Sequence, residues 1–452
     1  MRFKILAKSA RGEQTFIYNN QTSELSFEDG TPVRVAPDSR EVRFNPASPF
    51  SKDEPAGKGA IRTLKIQLGL SCNYACEYCS QRLVPHADET SKKQIPAFLD
   101  KLSAWMPQEP TRIEFWGGEP LVYLKTLVPL AEALRVRFPN VQFGMVTNGS
   151  LLTLEINDWL DRMGFGIGLS HDGHSQYVRG PDPLDDPKSK EAILDLYRRL
   201  APEGRISFNA MLHRENLDRA AIQQFFVDLT SDPHVPIGEG GMIDVYDTDA
   251  SQYALTNRDE HIWLRRTTLA QLRDKRIMNF GLTYRRVEGW INSFAHQRPA
   301  TTLGTKCGME RPDTVSVDLM GNVLTCQNVS AASEAPNGQA HKIGHVDDLA
   351  AVKLDTSTHW SRRSSCPDCP MLQACMGNCM FLEGKNFWSS CENSYNDHVA
   401  FFAFAIELVT GYLPYRIEAE HLHESRKDIW GADVGSVQLR KRKVIPINKV
   451  SK

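Results

Sequence analysis

Between residues 61 and 250 the chain alternates two hydrophobic rhythms. The short runs TLKIQLG, TRIEFWG, VQFGMVT, FGIGLS, RISFNAML and PIGEGGMIDV have the length and the β-branched and aromatic content of strands. Between them lie segments such as LVPLAEALRVRF and AAIQQFFVDLT, where apolar residues return every three or four positions, the period of a helix with one buried face. Strand and helix in alternation predict βαβ units and a parallel sheet. Six units fit the stretch, which favours an α/β fold built as a partial (β/α)6 TIM-like barrel over a closed eight-unit one. In such barrels chemistry sits at the C-terminal ends of the strands.

The flanks follow other patterns. Residues 1–60 offer strands in FKILAK and EQTFIYN with turns in NNQTSE and EDGTP, a small N-terminal β-meander running into the polar linker NPASPFSKDEPAGKG. Residues 251–304 predict a helical linker. Residues 305–395 are rich in Cys, Gly, Pro and Asn and too poor in apolar pattern to fold on their own core, so metal is expected to stabilise them. Residues 396–452 are a C-terminal helix and basic tail: YNDHVAFFAFAIELVTGY reads as an amphipathic closing helix. The basic run at 440–443 reads as a solvated tail or edge strand, with a contact to an acidic peptide as the alternative.

Composition adds one surprise. At 452 residues, 41% hydrophobic and 24% charged, the chain has the make-up of a globular protein with a sizeable core. A net charge of −2 argues for neither nucleic acid nor an anionic membrane as partner. The start, MRFKILAKSARGEQ, has no apolar run of signal-peptide length, and nothing approaches the ~18 apolar residues of a membrane span. A cytoplasmic protein is expected. The surprise is ten cysteines, which in a reducing compartment suggest metal ligands or redox groups, not disulfides. Three come early and seven late, with none between 80 and 306.

Cys72, Cys76 and Cys79 follow the first barrel strand as Cys-x3-Cys-x2-Cys. Three thiolates on a four-iron cube leave one iron open for a chelating substrate. Structural zinc wants four ligands, and the loop offers only the distant His86 as a fourth. The second strand ends in WGGEP, with Gly117, Gly118 and Glu119. The third ends in MVTNGS, with Thr147 and Asn148. The fourth ends in GLSHDG, with Ser170, and Arg179 lies downstream. With these motifs at these strand ends, the chain resembles the radical S-adenosylmethionine superfamily.

The resemblance implies a role for each motif. Gly117, Gly118 and Glu119 match the segment that holds the cofactor's amino group, and an ammonium suits backbone carbonyls and a carboxylate approached across glycines. Thr147 and Asn148 look like the family's next strand end, a plain turn being the alternative. Ser170 and Arg179 match positions that contact the ribose and carboxylate region in sulfatase maturases, a surface salt bridge being the alternative for Arg179. The implied reaction starts with an electron from the reduced cluster, which splits S-adenosylmethionine into methionine and a 5′-deoxyadenosyl radical that abstracts hydrogen.

The late cysteines resemble the auxiliary-cluster domain called SPASM, found in peptide-modifying enzymes and sulfatase maturases. By that resemblance Cys366, Cys369, Cys375 and Cys391 hold a distal cluster, and Cys307, Cys326 and Cys379 a proximal one. A zinc ribbon of Cys366, Cys369, Cys375 and Cys379 is the alternative. The expected total is three iron–sulfur clusters of the 4Fe–4S type. Two departures stand out. Asp313 occupies the place of an extra maturase cysteine, so the proximal cluster has an open iron or Asp313 completes it. Gln327 stands where sulfatase maturases carry an Asp proposed as base, and an amide cannot take a proton near neutral pH.

These features predict a radical enzyme that matures a ribosomally made peptide by installing a cross-link or other modification. Its expected partners are a precursor peptide and a reductant such as flavodoxin or ferredoxin. A separate peptide-recognition protein is a further candidate, because residues 1–60 lack the helices of a docking domain. Residue oxidation on a larger protein, in the sulfatase-maturase style, is the alternative, and an iron–sulfur electron-transfer or binding module is the alternative from another class. Gln327 and, after the sixth strand, Asp244 and Tyr246 are the candidate catalytic residues. His171 reads as a satisfied loop histidine.

Overall fold

The computed structural model describes residues 1–35, 57–86, 90–246, 248–335, 338–354 and 359–431. Most of the expected linker after residue 45 and the basic run at 440–443 lie outside these residues. The six expected barrel strands are present: β4 (Thr63–Gln67), β5 (Arg112–Trp116), β6 (Gln142–Thr147), β7 (Phe165–Ser170), β8 (Ile206–Leu212) and β9 (Ile237–Met242). Adjacent members of this series pair in parallel.

Their side chains explain why they form a layer. Leu64 and Ile66, Ile113 and Phe115, Phe143, Phe165 and Ile167, and Phe208 are buried in one core with residues of the crossover helices, such as Leu127, Leu160, Ile193 and Phe226. The alternate positions carry Glu114, Trp116, Gly144, Gly166, Gly168, Ser207 and Asn209, and these line a cavity of about 360 Å3 inside the barrel. A packed barrel fills that space with branched apolar side chains. Here glycines and polar groups leave it hollow.

The crossover helices are α1 (Ile95–Trp105), α2 (Leu124–Arg137), α3 (Leu154–Arg162), α4 (Pro187–Leu200) and α5 (Arg219–Thr230). Side-chain caps start several of them: Thr153 accepts from the Ile156 N–H, Asp186 from Ser189, and Asp218 from Ala220 and Ala221. After β9 come the short α6 (Thr248–Ser251) and the long α7 (Arg258–Arg273) and α8 (Gly281–His296).

The late cysteine segment joins the barrel sheet. β10 (Thr314–Asp318) pairs in parallel with β4, Thr314 opposite Thr63, and β11 (Asn322–Leu324) and β12 (Lys342–His345) continue antiparallel to give nine strands. Cys307 precedes β10 and Cys326 follows β11, so this pairing carries them beside the strand that leads to Cys72. The segment also has small apolar clusters, one with Leu303, Trp360, Leu372, Leu382 and Phe387, another with Met309, Leu354 and Met380.

Three features differ from the sequence expectation. After α9 (Leu372–Cys375), the closing helix α10 (Gly384–Thr410) starts within the cysteine segment, and from Asn393 to Glu407 every residue is buried. It is a central helix, not an amphipathic one. The expected linker helices α7 and α8 pack against it, and Asp397 of α10 is paired with Arg219 at 2.6 Å and Arg286 at 2.7 Å. Finally, β1 (Arg2–Ser9), β2 (Gly12–Asn19) and β3 (Leu25–Phe27) are joined by a fourth strand, β13 (Leu413–Glu418), antiparallel to β1. The short α11 (Glu424–Lys427) follows it. Among the described residues no helix is long and apolar enough to cross a membrane.

Candidate active site and cluster sites

The C-terminal ends of β4 to β7 surround a cavity of about 400 Å3, the size of a small-ligand pocket. Cys72, Cys76 and Cys79 line it from one side. Gly117, Gly118, Glu119, Thr147, Asn148, Ser170 and Arg179 line it from the other, so the fold brings every expected cofactor residue to one wall.

Glycines are required where the β5 end meets the cysteine loop. The Gly118 N–H donates to Gly69 O at 3.0 Å and the Glu119 N–H to Ser71 O at 3.0 Å. A Cβ on Gly118 would stand 2.4 Å from the carbonyl oxygens of Leu70 and Ser71. Glu119, only 2% exposed, accepts from Thr147 Oγ1 at 2.7 Å, the Asn148 N–H at 2.8 Å and the Leu121 N–H at 3.1 Å. Its carboxylate thus ties the ends of β5 and β6 together. Burial raises its pKa, and these three hydrogen bonds oppose the rise.

A second network anchors the cysteine loop. Tyr78, between Cys76 and Cys79, donates its hydroxyl proton to Asp172 and accepts from Arg179 Nη1 at 2.9 Å. Asp172 is fully buried; it pairs with Arg179 at 3.3 Å and accepts from the Met211 N–H at 2.9 Å. Burial works against the Asp172 charge, but Arg179, His213 and Tyr78 outweigh it and lower the carboxyl pKa. His171 is satisfied, with Nε2 3.0 Å from Asp182 and Nδ1 accepting from the Gly173 N–H at 3.0 Å.

The site fits a cluster and its sulfonium cofactor on two observations. Arg179 lines the cavity, and its buried Nε has no hydrogen-bond partner among the described residues, a donor left for a ligand. Burial also pushes the Cys76 thiol up to about 12, so a metal is needed to hold it as thiolate. Among the described residues no three His, Cys, Asp or Glu side chains converge on a single metal ion. A cluster sets each thiolate on a different iron, so its ligands stand wider apart.

The late cysteines form two neighbourhoods. Cys366, Cys369, Cys375 and Cys391 open onto one small cavity with Arg426. Cys326 lies within electrostatic reach of both Cys307 and Cys379. Burial drives the Cys326 thiol up to about 11 and those of Cys366 and Cys379 up to about 12.

Three expected residues fall elsewhere. Asp313, the alternative to an open iron at the proximal cluster, has both carboxylate oxygens on Arg311, at 3.0 and 2.9 Å. Asp244 does not line the cavity; it accepts from Asn378 Nδ2 at 2.8 Å, and burial raises its pKa. Tyr246 donates to Cys379 Sγ at 3.2 Å and belongs to the late cysteine group.

Gln327 sits at the barrel's inner rim, its Oε1 accepting from Lys65 Nζ at 3.3 Å. Lys65 lies 3.8 Å from Glu114, which also accepts from Trp116 Nε1 at 2.9 Å. Trp116 and Val146 line both the cofactor-sized cavity and the hollow barrel, so the two spaces meet there. Sequence reasoning missed Lys65, Glu114 and Trp116. Their signal was polar residues alternating with apolar ones inside strands of a buried sheet. It also missed Gln81 and Asn328, which join at 3.3 Å and link the first cysteine loop to the segment after Cys326.

Comparisons agree with this geometry. Residues 66–225 match the radical SAM superfamily. The radical SAM cyclopropyl synthase TigE of Paramaledivibacter caminithermalis is 22% identical over 353 residues, 72% of this chain and 69% of TigE. Native anSMEcpe with bound AdoMet and a Kp18Cys peptide superposes with a TM-score of 0.53 at 15% identity, over 76% of this chain and 99% of that one. The same protein with a Cp18Cys peptide also gives 0.53, at 15% identity and over 76% and 98% of the two chains.

Proposed function

We propose that the chain is a radical SAM superfamily enzyme that matures a ribosomally made peptide by abstracting hydrogen and installing a cross-link or other modification. The observation that carries the proposal is the hollow, polar barrel meeting the cofactor-sized cavity at Trp116 and Val146. An extended peptide segment would suit such a channel, where strand-borne polar groups such as Glu114, Ser207 and Asn209 meet main-chain and side-chain polar atoms. The likeness to anSMEcpe, solved with peptides bound, supports a peptide substrate, and the name of TigE adds ring closure through carbon–carbon bonds to the product types.

When bound at Cys72, Cys76 and Cys79, the cluster supplies with S-adenosylmethionine a hydrogen-abstracting 5′-deoxyadenosyl radical. The chain's own residues hold that chemistry in place. Gly117 and Gly118 let the β5 end close on the cysteine loop, Glu119 fixes the β5 and β6 ends, and Arg179 offers its unpartnered Nε–H. Cys366, Cys369, Cys375 and Cys391 would hold one auxiliary cluster and Cys307, Cys326 and Cys379 another. Tyr246 would steady Cys379 through its hydroxyl.

Residue oxidation in the sulfatase-maturase style draws on the same fold likeness. Gln327 counts against it, since an amide accepting from Lys65 has no proton-accepting role there. The test is anaerobic reconstitution followed by incubation with S-adenosylmethionine and dithionite, alone and with any short peptide found encoded beside the gene. The expected result for a cross-link is 5′-deoxyadenosine, which carries off one hydrogen, and a peptide lighter by two, the second leaving as a proton with its electron passed to an auxiliary cluster. Fully loaded protein that makes no 5′-deoxyadenosine overturns the enzymatic reading; 5′-deoxyadenosine with an unchanged peptide overturns only the substrate.

A further inference from the structure

Arg426 comes from α11, outside the cysteine segment, yet it lines the small cavity shared by Cys366, Cys369, Cys375 and Cys391. Its backbone is fixed, because Tyr395 donates its hydroxyl proton to the Arg426 carbonyl at 2.7 Å and the preceding β13 is paired with β1. Its side chain is fixed as well. Nε donates to Glu392 Oε1 at 2.9 Å, Nη2 donates to the same oxygen, and the guanidinium lies 4.7 Å from the centre of the Tyr395 ring. Carboxylate and ring together hold the guanidinium so that Nη2 serves two acceptors. Nη2 points at Cys391 Sγ, 3.2 Å away.

A surface ion pair would not need this arrangement. The residue is 8% exposed, and burying a guanidinium costs free energy that one half-exposed carboxylate does not fully offset. The sulfur supplies the further acceptor. A cluster-bound thiolate carries negative charge, so the charge-assisted N–H···S contact strengthens when that charge is present.

We propose that Arg426 is a positioning residue that donates a hydrogen bond to the cluster-bound Cys391 thiolate and thereby raises the reduction potential of the distal auxiliary cluster. The physical reason is general: hydrogen bonds to cluster sulfurs and nearby cations stabilise the added electron and raise the potential. Arg426 also opposes the burial-driven rise in the Cys366 and Cys369 thiols, so its field reaches more than one ligand. The inference rests on the reading that these four cysteines hold a cluster.

The experiment uses the reconstituted full chain and its Arg426→Met and Arg426→Lys variants, with iron counted and each cluster's midpoint potential titrated by EPR. Arg426→Met is expected to lower one potential and leave the others in place. Arg426→Lys, which keeps the charge without the fork, is expected to recover part of the shift. Potentials unmoved in both fully loaded variants overturn the proposal. So does an iron-depleted Arg426→Met beside a loaded, unshifted Arg426→Lys. Cys391→Ala separates the underlying reading: loss of one cluster's iron supports it, and full iron content overturns the ligand set and the proposal with it.

Discussion

Replacing Gly118 by alanine tests whether the cavity depends on backbone contact between the β5 end and the cysteine loop. The added Cβ would meet the carbonyl oxygens of Leu70 and Ser71 at 2.4 Å, where ordinary contact begins near 3.4 Å, so the segments must part by 3.4 − 2.4 = 1.0 Å. Both obstacles are main-chain atoms, and no rotamer change relieves them. Ser71 precedes Cys72, so the displacement passes directly to the first expected iron ligand. Overpacking of this kind costs about 1–3 kcal/mol of stability. A misplacement of about 1 Å at a reacting centre costs on the order of 100-fold in rate. Gly118→Ala is therefore expected to melt a few degrees lower and to form 5′-deoxyadenosine about 100-fold more slowly. Gly289→Ala, in open space on α8, serves as the control and leaves the rate unchanged. A Gly118→Ala protein with full iron and a wild-type rate would refute the reasoning.

Replacing Cys72, Cys76 and Cys79 together by alanine is expected to abolish 5′-deoxyadenosine and remove about a third of roughly twelve irons, measured by product chromatography and iron assay. Asp397→Asn leaves the buried Arg219 without its counter-charge and is expected to cost about 3–5 kcal/mol, read as a large drop in melting temperature. The pH dependence of stability follows from its neighbour. Burial lowers the His398 pKa from 6.5 to about 3, so its neutral form contributes stability that is full above pH 6.5 and lost as pH falls toward 3. Melting temperatures of the wild type should fall below pH 6.5, and His398→Gln should flatten that slope. Tyr78→Phe removes the hydroxyl shared by Asp172 and Arg179 and is expected to weaken S-adenosylmethionine binding by about 1–2 kcal/mol, measured by calorimetry.

The barrel was legible because its signals are local. Each of β4 to β9 announces itself by apolar residues bound for the helix side, and the cysteine and WGGEP motifs fall at strand ends where the alternation places them. Long-range features carry no local signal. Nothing in LPYRIE says that it pairs with FKILAK, and nothing in YNDHVAFF says that Arg219 and Arg286 wait for its aspartate. Asp244 and Tyr246 were expected in the barrel mouth, but Asn378 and Cys379 reach them from far along the chain.

The pairing of β1 with β13 also sets the order in which the molecule is completed. Ile5 lies opposite Ile417, 417 − 5 = 412 residues later, so this seam closes only after nearly all of the described chain has been synthesised. Until then one flank of β1 is a bare strand edge, the kind of surface that recruits foreign strands. Arg426 arrives behind the same seam, so the cavity of Cys366, Cys369, Cys375 and Cys391 gains this wall only after the rest of its lining has been synthesised.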